Sequence, residues 1–546
     1  MATYTGREQS LNPLLIEYER GVLRVEGVSC TLFENQNIII TPQNSFEYQV
    51  VDDRQGAHDF RQSIEINPPD TEIIVTTSWF GEYPLFYYLN ERRLIISSSI
   101  LHLCERMRAL KIAIELDDTA FHETLIFDYP LRERTLFTGV HKTMQGKRYR
   151  FRMTAGTREI DTLFVLPFDR GECKQDEGKV LSQAKDILLS LLPRNSIAKS
   201  SPVLLPLSGG LDSRLLACLL KAADIDCKAV VFGPSESMER FVAQKVADSL
   251  GIRVDVLDLR DEFYKNYGTE VTLLTCGLSG HHHCHLYACL KANQVKAGTI
   301  VHGFLGGEFA GASQPVHAQQ YGMSKEEAFE RFLAEHVRGK YAWGIISSDH
   351  QWQIVNDLKK IIEECCSENL PCHFDEYVHN VDRQFSLIAN IFSVSETFGC
   401  FVRPFANKDY AIFFNKLPFR FRMDRLIFKK ACYELFPNEF RIGSQSQIFA
   451  KNSTRGKVEK IISSFISKAS FASFIISQGR FCLPNPKAFE RHRKVLYGVL
   501  RKDFFSAIDM MGKKTGMNLK PLQSINLRNR TELTAQYRVL SARLLV

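Results

Sequence analysis

The spacing of apolar positions differs between the two parts of the chain. Up to about residue 165, short runs rich in β-branched and aromatic side chains, at 72–77, 79–88 and 93–99, predict the strands of a packed sheet. From residue 180 onward, segments with helical spacing alternate with apolar runs, which lie at 203–207, 227–233, 253–259 and 299–303. Strands that alternate with helices predict a parallel sheet with helices on both faces, so we expect an α/β fold.

A turn of small residues, Ser208-Gly209-Gly210-Leu211-Asp212-Ser213, joins the apolar run at 203–207 to an apolar helical segment. The glycines have no Cβ, so the backbone can turn sharply and approach a ligand. The amides of such a loop and of the helix start favour an anion, and Asp212 is placed to hold a Mg²⁺ that also contacts phosphate oxygens. This is not a Walker loop, because no Gly-Lys-Ser/Thr follows. An ordinary glycine-rich turn would explain the two glycines alone.

The predicted strands also place other small residues near this turn. Ligands of parallel sheets bind beyond the carboxyl ends of the strands. Phe232-Gly233 and Gly303 each end a predicted strand, as the turn at 208–213 does. We therefore expect these three segments to surround one crevice.

Composition places the chain among ordinary soluble proteins. A length of 546 residues favours two or more domains, and 45% hydrophobic with 24% charged residues is typical of globular proteins. No apolar run reaches bilayer length, and the first residues do not resemble a signal peptide. Together with fourteen scattered cysteines, this predicts reduced thiols in a cytoplasmic protein that does not contact membranes.

Positive charge is concentrated at the end of the chain. From Arg441 onward there are 20 Lys and Arg against 5 Asp and Glu, although the whole chain carries a net charge of only +7. A basic segment can favour an anionic substrate, a nucleotide or RNA, and it can equally be a solvated surface or neutralise an acidic neighbour.

Three stretches carry a resemblance to a known family. The turn at 208–213 matches the pyrophosphate loop, Ser-Gly-Gly-x-Asp-Ser, of enzymes that split ATP into AMP and pyrophosphate. Gly81, Pro84-Leu85 and Tyr87-Tyr88 resemble the Gly-x-x-Pro-Leu-Tyr-Tyr signature of amidotransferase domains, and 402–410 resembles an Arg-x-Pro-Phe-Leu-Asp segment. The chain thus resembles the asparagine synthetases. This resemblance implies an αββα amidotransferase-like sandwich over 1–165, a linker over 166–179, and a parallel-sheet ATP pyrophosphatase domain over 180–546.

The first part of the chain departs from the glutamine-cleaving members. Those members use an N-terminal cysteine as nucleophile, with its own α-amine as base. This sequence has Ala2 there, and its first cysteine is Cys30. We therefore expect no glutamine hydrolysis, which directs the resemblance toward β-lactam synthetases, carbapenam synthetases and lasso-peptide cyclases. RNA-modifying pyrophosphatases do not carry such a first domain, so nucleic acid is not an expected partner.

The second phosphate-side motif also departs from the family pattern. The segment 303–312 has Gly307 where the family has a metal-binding Asp, with Glu308 adjacent and one methylene longer. Phe304 stands where relatives have a Glu or Tyr, and a phenyl ring cannot take a proton. The catalytic lysine of the family falls near Ser444-Gln445 by spacing, and the nearest cations are Arg441 and Lys451. Arg441 is also explained as a cation at a helix C-terminus.

Two functions remain open on this basis. One is an ATP- and Mg²⁺-dependent synthetase that adenylates a small-molecule or peptide carboxylate for attack by an amine, including an intramolecular amine that closes a lactam. The other is a nucleotide-binding or scaffold member that works with partner proteins of a biosynthetic cluster. The resemblance assigns catalysis and metal binding to Asp212 and Glu308. It assigns nucleotide contacts to Leu207, Ser208, Gly209, Gly210, Leu211, Asp212, Ser213, Phe232, Gly233, Gly303 and Gly306.

A histidine-rich tract at 281–285, with Cys276 and Cys289 nearby, allows several interpretations. On a helix, His281, Cys284 and His285 would share a face, yet neither zinc-finger spacing nor His-Glu-x-x-His is present. A metal site, contact with substrate, and ordinary packing all remain possible for this tract.

Overall fold

The structure is a computed structural model. It describes residues 14–19, 22–26, 30–34, 37–41, 63–67, 72–81, 84–153, 155–167, 176–192, 197, 203–233, 237–257, 259–312, 323–365, 374–444, 454–476, 495–523 and 530–545. The predicted strands at 72–77 and 93–99 are confirmed, whereas the aromatic strand predicted over 79–88 begins only at Phe86.

Two antiparallel sheets form the first part of the chain. The first has the order β2-β1-β8-β7-β9, and the second has the order β11-β10-β6-β5-β4-β3. Their strands are β1 (Leu15–Glu19), β2 (Val22–Glu26), β3 (Cys30–Glu34), β4 (Asn37–Thr41), β5 (Ser63–Asn67), β6 (Glu72–Thr76), β7 (Phe86–Asn90), β8 (Arg93–Ser97), β9 (Val140–Lys142), β10 (Lys147–Arg152) and β11 (Thr157–Thr162).

The two sheets enclose a core of their own. Alternate residues of each strand point to opposite faces, so one apolar set per sheet faces the other sheet. This core comprises Ile16, Tyr87, Leu94 and Ile96 from the first sheet and Ile64, Ile73, Val75, Tyr149 and Phe151 from the second. On the other face of the first sheet, Phe86 and Ile95 join a larger core with Leu103 of helix α1 (Ile100–Ala109).

The second antiparallel sheet is more open on its outer face. Outward positions of β10 are half-buried or exposed, and β11 is exposed along nearly its whole length. The described residues therefore show an α-β-β arrangement, which is three of the four layers that the resemblance implies. The predicted linker at 166–179 follows β11, and helix α3 (Glu177–Ser190) begins at its end.

A five-stranded parallel sheet forms the second part. Its strands are β12 (Val203–Pro206), β13 (Cys227–Phe232), β14 (Arg253–Leu257), β15 (Thr299–Val301) and β16 (Cys400–Val402), in the order β14-β13-β12-β15-β16. All four pairs are parallel, which confirms the four predicted strands. The order reverses between β12 and β15, and such a switch point opens a crevice at the carboxyl ends of the strands.

Further helices of the described residues lie between and after the strands along the chain. They are α2 (Asp118–Phe127), α4 (Asp212–Ala222), α5 (Met238–Leu250), α6 (Asp261–Leu274), α7 (His285–Ala292), α8 (Gly306–Ala310), α9 (Lys325–Phe332), α10 (Ser348–Cys365), α11 (Phe374–Tyr377), α12 (Ala389–Ser395), α13 (Lys408–Lys416), α14 (Phe419–Arg422), α15 (Leu426–Leu435), α16 (Pro437–Arg441), α17 (Thr454–Ile476), α18 (Arg501–Thr515) and α19 (Arg530–Ala542). Short 3-10 or π turns lie between them, among them Leu333–Arg338, Val378–Asp382 and Met423–Arg425. Within the described ranges, no helix is both long enough and apolar enough to cross a membrane.

Aromatic rings join the antiparallel part to the parallel-sheet part. The ring centroid of Phe80 lies 6.0 Å from that of Phe304 and 6.3 Å from that of Phe309, both edge-on. Phe304 in turn lies 4.8 Å from Phe392. Edge-to-face rings at these distances add to the free energy of apolar burial. The two parts therefore share one continuous core at this junction.

A buried lysine at the same junction lacks a hydrogen-bond partner. Lys142 is 1% exposed, and its Nζ has no acceptor among the described residues, although it lies 5.4 Å from the centroid of the Phe385 ring. Burial lowers the pKa of Lys142 to about 8, and the nearby carboxyls of Asp382 and Glu123 only partly oppose this. The charged ammonium is therefore less stable in the folded protein than in the unfolded chain.

Replacing Lys142 by methionine is expected to stabilise the protein by roughly 1–3 kcal/mol at pH 7. Below pH 8 the lysine is charged in both states, so its burial costs stability in full. As pH rises from 8 toward the ordinary lysine value, only the unfolded chain still binds the proton, and wild type gains stability. Urea midpoints at pH 7 and 10, with exposed Lys179→Met as the control, measure this effect. A lower midpoint for Lys142→Met at pH 7 would contradict it.

Candidate functional site

The turn after β12 is closed by its own hydroxyl groups. The backbone N–H of Leu207 donates to the carbonyl of Val230 at 2.9 Å, which anchors the turn to β13. The N–H of Ser208 donates to Ser213 Oγ at 3.0 Å, and that of Gly210 donates to Ser208 Oγ at 3.1 Å. These bonds fix the turn before the first residues of α4, where helix amides and the helix dipole favour an anion.

The loop after β15 packs directly onto this turn. A Cβ added to Gly303 would lie 3.0 Å from the backbone N of Ser213, and one added to Gly306 would lie 2.8 Å from Cγ of Asp212. Side chains at these positions would therefore push the two loops apart. The hydroxyl of Tyr410 donates to the carbonyl of Gly306 at 2.6 Å and holds α8 in place. Of the predicted nucleotide-contacting residues, Phe232 and Gly233 lie at the carboxyl end of the adjoining strand β13.

Asp212 begins helix α4 and faces a guanidinium group. Arg425 Nη1 lies 3.1 Å from Asp212 Oδ1, and the two side chains are 21% and 25% exposed. Burial raises the pKa of Asp212, whereas Arg425 and the N–H of Gly307 oppose that rise. A partly buried, hydrogen-bonded pair of this kind can open toward solvent when a ligand arrives.

Glu308 brings a second carboxyl group to the same place. It lies on α8 and is half-buried, and both its burial and the charge of Asp212 raise the pKa of Glu308. A Cβ added to Gly307 would lie 3.3 Å from both Arg425 Nη1 and Asp212 Oδ2. A side chain at position 307 would thus point at the Asp212–Arg425 pair, and the glycine leaves that space to the guanidinium.

The donor set fits one Mg²⁺ better than two. Carboxylate oxygens are the ligands that Mg²⁺ prefers, and the charge of Asp212 raises the cost of ionising Glu308, which a divalent cation would relieve. Gly307 supplies no third carboxylate, and Arg425 provides a fixed positive charge beside the pair. Asp212 and Glu308 would therefore hold a single ion, which would offset negative charge on phosphate oxygens when bound.

Arg425 is the cation that sequence spacing did not identify. It follows Asp424, and both residues have positive φ, 58° and 51°. Two consecutive non-glycine residues in this region are strained, and the surrounding packing must hold them. Arg441, one of the cations considered from the sequence, is exposed in the last turn of α16, where it complements the helix dipole. Gln445 and Lys451 lie outside the described residues.

Arg214 lies directly after the turn at 208–213, and its side chain is fully buried. Its Nη1 donates to the carbonyl of Ile442 at 2.7 Å, and its Nη2 donates to those of Gly443 and Gly209, at 2.8 and 3.3 Å. Arg214 thus ties the turn to the segment that follows α16.

Phe304 is a packing residue. It is 7% exposed between Phe80 and Phe392, so the side chain at this position of the loop supplies apolar contact and no proton acceptor. The side chain at position 304 therefore cannot serve as a general base.

The histidine tract forms a buried polar network with residues that are distant in sequence. His282 Nε2 lies 3.1 Å from Asp128 Oδ1, and His283 Nε2 lies 2.7 Å from Asp128 Oδ2. Arg538 Nε donates to Asp128 Oδ1 at 2.6 Å. The three side chains of Asp128, His282 and His283 bring their ligand atoms within 4.8 Å of one another, which is close enough for a metal ion. Arg538 already neutralises Asp128 in a site where the two side chains are only 1% and 12% exposed, so the arrangement favours an ion pair with two neutral histidine donors.

The protonation of this network is consistent with an ion pair. Burial lowers the pKa of His282 to about 3 and that of His281 to about 4. Burial alone would raise the pKa of Asp128, but Arg538 and the two histidines hold it well below its ordinary value. The network therefore carries one negative charge, on Asp128, and one positive charge, on Arg538.

A model of a known protein family matches part of the chain. A search of curated proteins found no match. The family model described as asparagine synthase matches residues 194–267, which contain β12, the turn at 208–213, α4, β13, α5 and β14. This match supports a relationship between the first half of the parallel sheet and the asparagine synthetases, which are ATP-dependent amide-forming synthetases.

Proposed function

We propose that the protein is an AMP-forming amide synthetase that activates a carboxylate with ATP. The observation that carries this proposal is the convergence, at the switch point of the parallel sheet, of the turn at 208–213 with Asp212, Glu308 and Arg425. These groups suit the phosphate chain of a nucleotide. The turn and the helix start favour an anion, the two carboxyl groups suit Mg²⁺, and the guanidinium adds a positive charge.

The chemistry that we propose has two steps. The substrate carboxylate attacks the α-phosphorus of ATP, the bond between the α-phosphorus and the bridging oxygen breaks, and pyrophosphate leaves. An amine then attacks the acyl carbon and AMP leaves, so an amide forms. Arg425 and the helix start of α4 stabilise negative charge that builds on the phosphate oxygens in the first step. Asp212 and Glu308 would hold a Mg²⁺, which would help to orient the phosphate chain when bound.

We propose that the amine does not come from glutamine, because the first cysteine of the sequence, Cys30, begins strand β3 and is not placed as a terminal nucleophile. The amine then comes from free ammonia, from a second molecule, or from the substrate itself, which would close a lactam or a macrolactam. Phe304 offers no base, so an amine that arrives unprotonated suits this site better than an ammonium ion.

A second candidate function is a nucleotide-binding scaffold. The observation that favours it is the loss of two functional side chains, at Phe304 and Gly307, from the loop after β15. Such a protein would bind the nucleotide in the same crevice and release no pyrophosphate.

Exchange of labelled pyrophosphate into ATP separates the two functions. An enzyme should catalyse this exchange with at least one of a panel of carboxylic acids and peptides, and only when Mg²⁺ is present. A scaffold should bind MgATP in calorimetry and show no exchange with any acid. Absence of both binding and exchange would exclude both functions.

Replacing Arg425 by methionine is expected to lower the exchange rate by about 10- to 100-fold, because a hydrogen bond to a charged group contributes about 1.5–3 kcal/mol. The matched control is Arg441→Met, which removes an exposed arginine at a helix end and should leave exchange unchanged. Exchange that survives the change at 425 and fails with the change at 441 would show that the segment after α16 supplies the cation.

A further inference from the structure

A cavity of about 260 Å³ lies where the antiparallel sheets meet the helices of the second part. Five aromatic side chains line it: Trp79, Phe80, Phe164, Phe309 and Tyr377. Trp79 and Phe164 meet edge to face with ring centroids 6.1 Å apart. Sites for drug-sized ligands measure about 300–1,000 Å³, so this cavity suits a ligand no larger than one amino acid.

One polar side chain in the cavity wall lacks a partner. Gln145 is 7% exposed, and its Oε1 accepts no hydrogen bond from any described residue. A buried acceptor left unpaired costs about 1–3 kcal/mol, so such groups nearly always have a partner. Because Gln145 lines the cavity, a hydrogen-bond donor on a bound ligand could supply the partner that its Oε1 lacks among the described residues.

The cavity also has a charged end. Lys147, Thr162 and Glu364 line it together. Lys147 Nζ donates to Thr162 Oγ1 at 2.7 Å and lies 3.6 Å from Glu364 Oε2. Lys147 is 9% exposed, whereas the Glu364 side chain is 38% exposed and also pairs with Arg132. This end therefore offers a positive and a negative group to a small ligand.

We propose that this cavity binds a free α-amino acid with an aromatic side chain. Its carboxylate would pair with Lys147, its ammonium would donate to Gln145 and meet Glu364, and its ring would lie among the five aromatic side chains. Each feature of the wall then has a counterpart in the ligand. Binding at this site requires neither nucleotide nor catalysis, so it stands apart from the proposed function, although Phe309 and Glu308 are neighbours on α8.

Titration calorimetry of the full chain without nucleotide tests this site. The probes are L-phenylalanine, 2-phenylethylamine, which lacks the carboxylate, 3-phenylpropanoate, which lacks the amine, and L-alanine, which lacks the ring. L-phenylalanine should bind most tightly, and each analogue should bind about tenfold more weakly or not at all. No heat from L-phenylalanine at about 10 mM, or equal affinity for all four compounds, would overturn the proposal.

Two substitutions assign the polar contacts. Gln145→Met should weaken L-phenylalanine and 2-phenylethylamine about tenfold and spare 3-phenylpropanoate. Lys147→Met should weaken L-phenylalanine and 3-phenylpropanoate and spare 2-phenylethylamine. The controls are Gln244→Met and Lys179→Met, both at exposed positions. Undiminished binding by both cavity variants would overturn the site. Where circular dichroism shows that a variant is unfolded, the analogue series on wild type decides.

Discussion

Asp212→Asn is expected to lower ATP–pyrophosphate exchange by about 10³-fold, because the site loses the carboxylate that is placed to hold a metal ion against the phosphates. Asparagine keeps the size of the side chain and its position at the start of α4, so the turn at 208–213 should persist. The amide cannot carry the negative charge that a Mg²⁺ ligand and a partner of Arg425 both require. Exchange with the most active acid of the panel, at saturating MgATP, measures the loss.

The matched control for this change is Asp186→Asn, on the exposed face of α3. It alters the same chemical group and should leave exchange and the urea midpoint unchanged. Unchanged urea midpoints for both variants would show that the loss at 212 is a loss of function and not of fold. Exchange within about threefold of wild type in Asp212→Asn would remove this residue from the metal-binding role, since a lost ligand costs far more than that.

The parallel sheet could be predicted from the sequence because short strand-like segments alternate with helical segments, although 253–259 alternates apolar with charged residues. Four strands were found in this way, and the turn at 208–213 was found because its residues are contiguous. The strand β16 was missed although, at three residues, it is as long as β15, which was predicted. Among the described strands it pairs with β15 alone, so its strand conformation depends on a tertiary contact rather than on a local pattern.

The cation of the site could not be predicted for a similar reason. Asp212 and Arg425 are 213 residues apart, and they meet because the segment before α15 reverses direction at Asp424 and Arg425. Spacing along the chain pointed instead to Arg441. The residues around Arg425 and around Arg441 form no sequence pattern that distinguishes a cation in the site from a cation on the surface. Glu308 was identified because it is adjacent to a recognisable glycine-rich loop. The buried environment of Arg214 could not be predicted, because most of its partners lie more than 200 residues later in the sequence.

The buried network around Asp128 shows the same limit on a larger scale. Asp128 and Arg538 are 410 residues apart, and the tract at 281–285 gave no sign of either. Asp128 ends helix α2 with a positive φ of 76°, and Arg538 lies on α19 at 2% exposure. The guanidinium Nη1 also donates to the carbonyl of Gly277 at 2.8 Å. This network therefore fastens the last helix to both the antiparallel part and the segment before the histidines.

Replacing Arg538 by methionine is expected to cost about 3–5 kcal/mol of stability, because Asp128 would remain as a buried charge without its ion-pair partner. Urea denaturation followed by circular dichroism measures this loss. The control is Arg338→Met, which breaks an exposed ion pair with Glu330 and should cost no more than about 0.5 kcal/mol. Adding Asp128→Asn to Arg538→Met removes the stranded charge, so the double variant should be more stable than Arg538→Met alone. A loss of stability no larger than that of the control would contradict a buried ion pair. If Arg538→Met bound Zn²⁺ tightly and wild type did not, the arginine alone would be what keeps a metal ion out of this site.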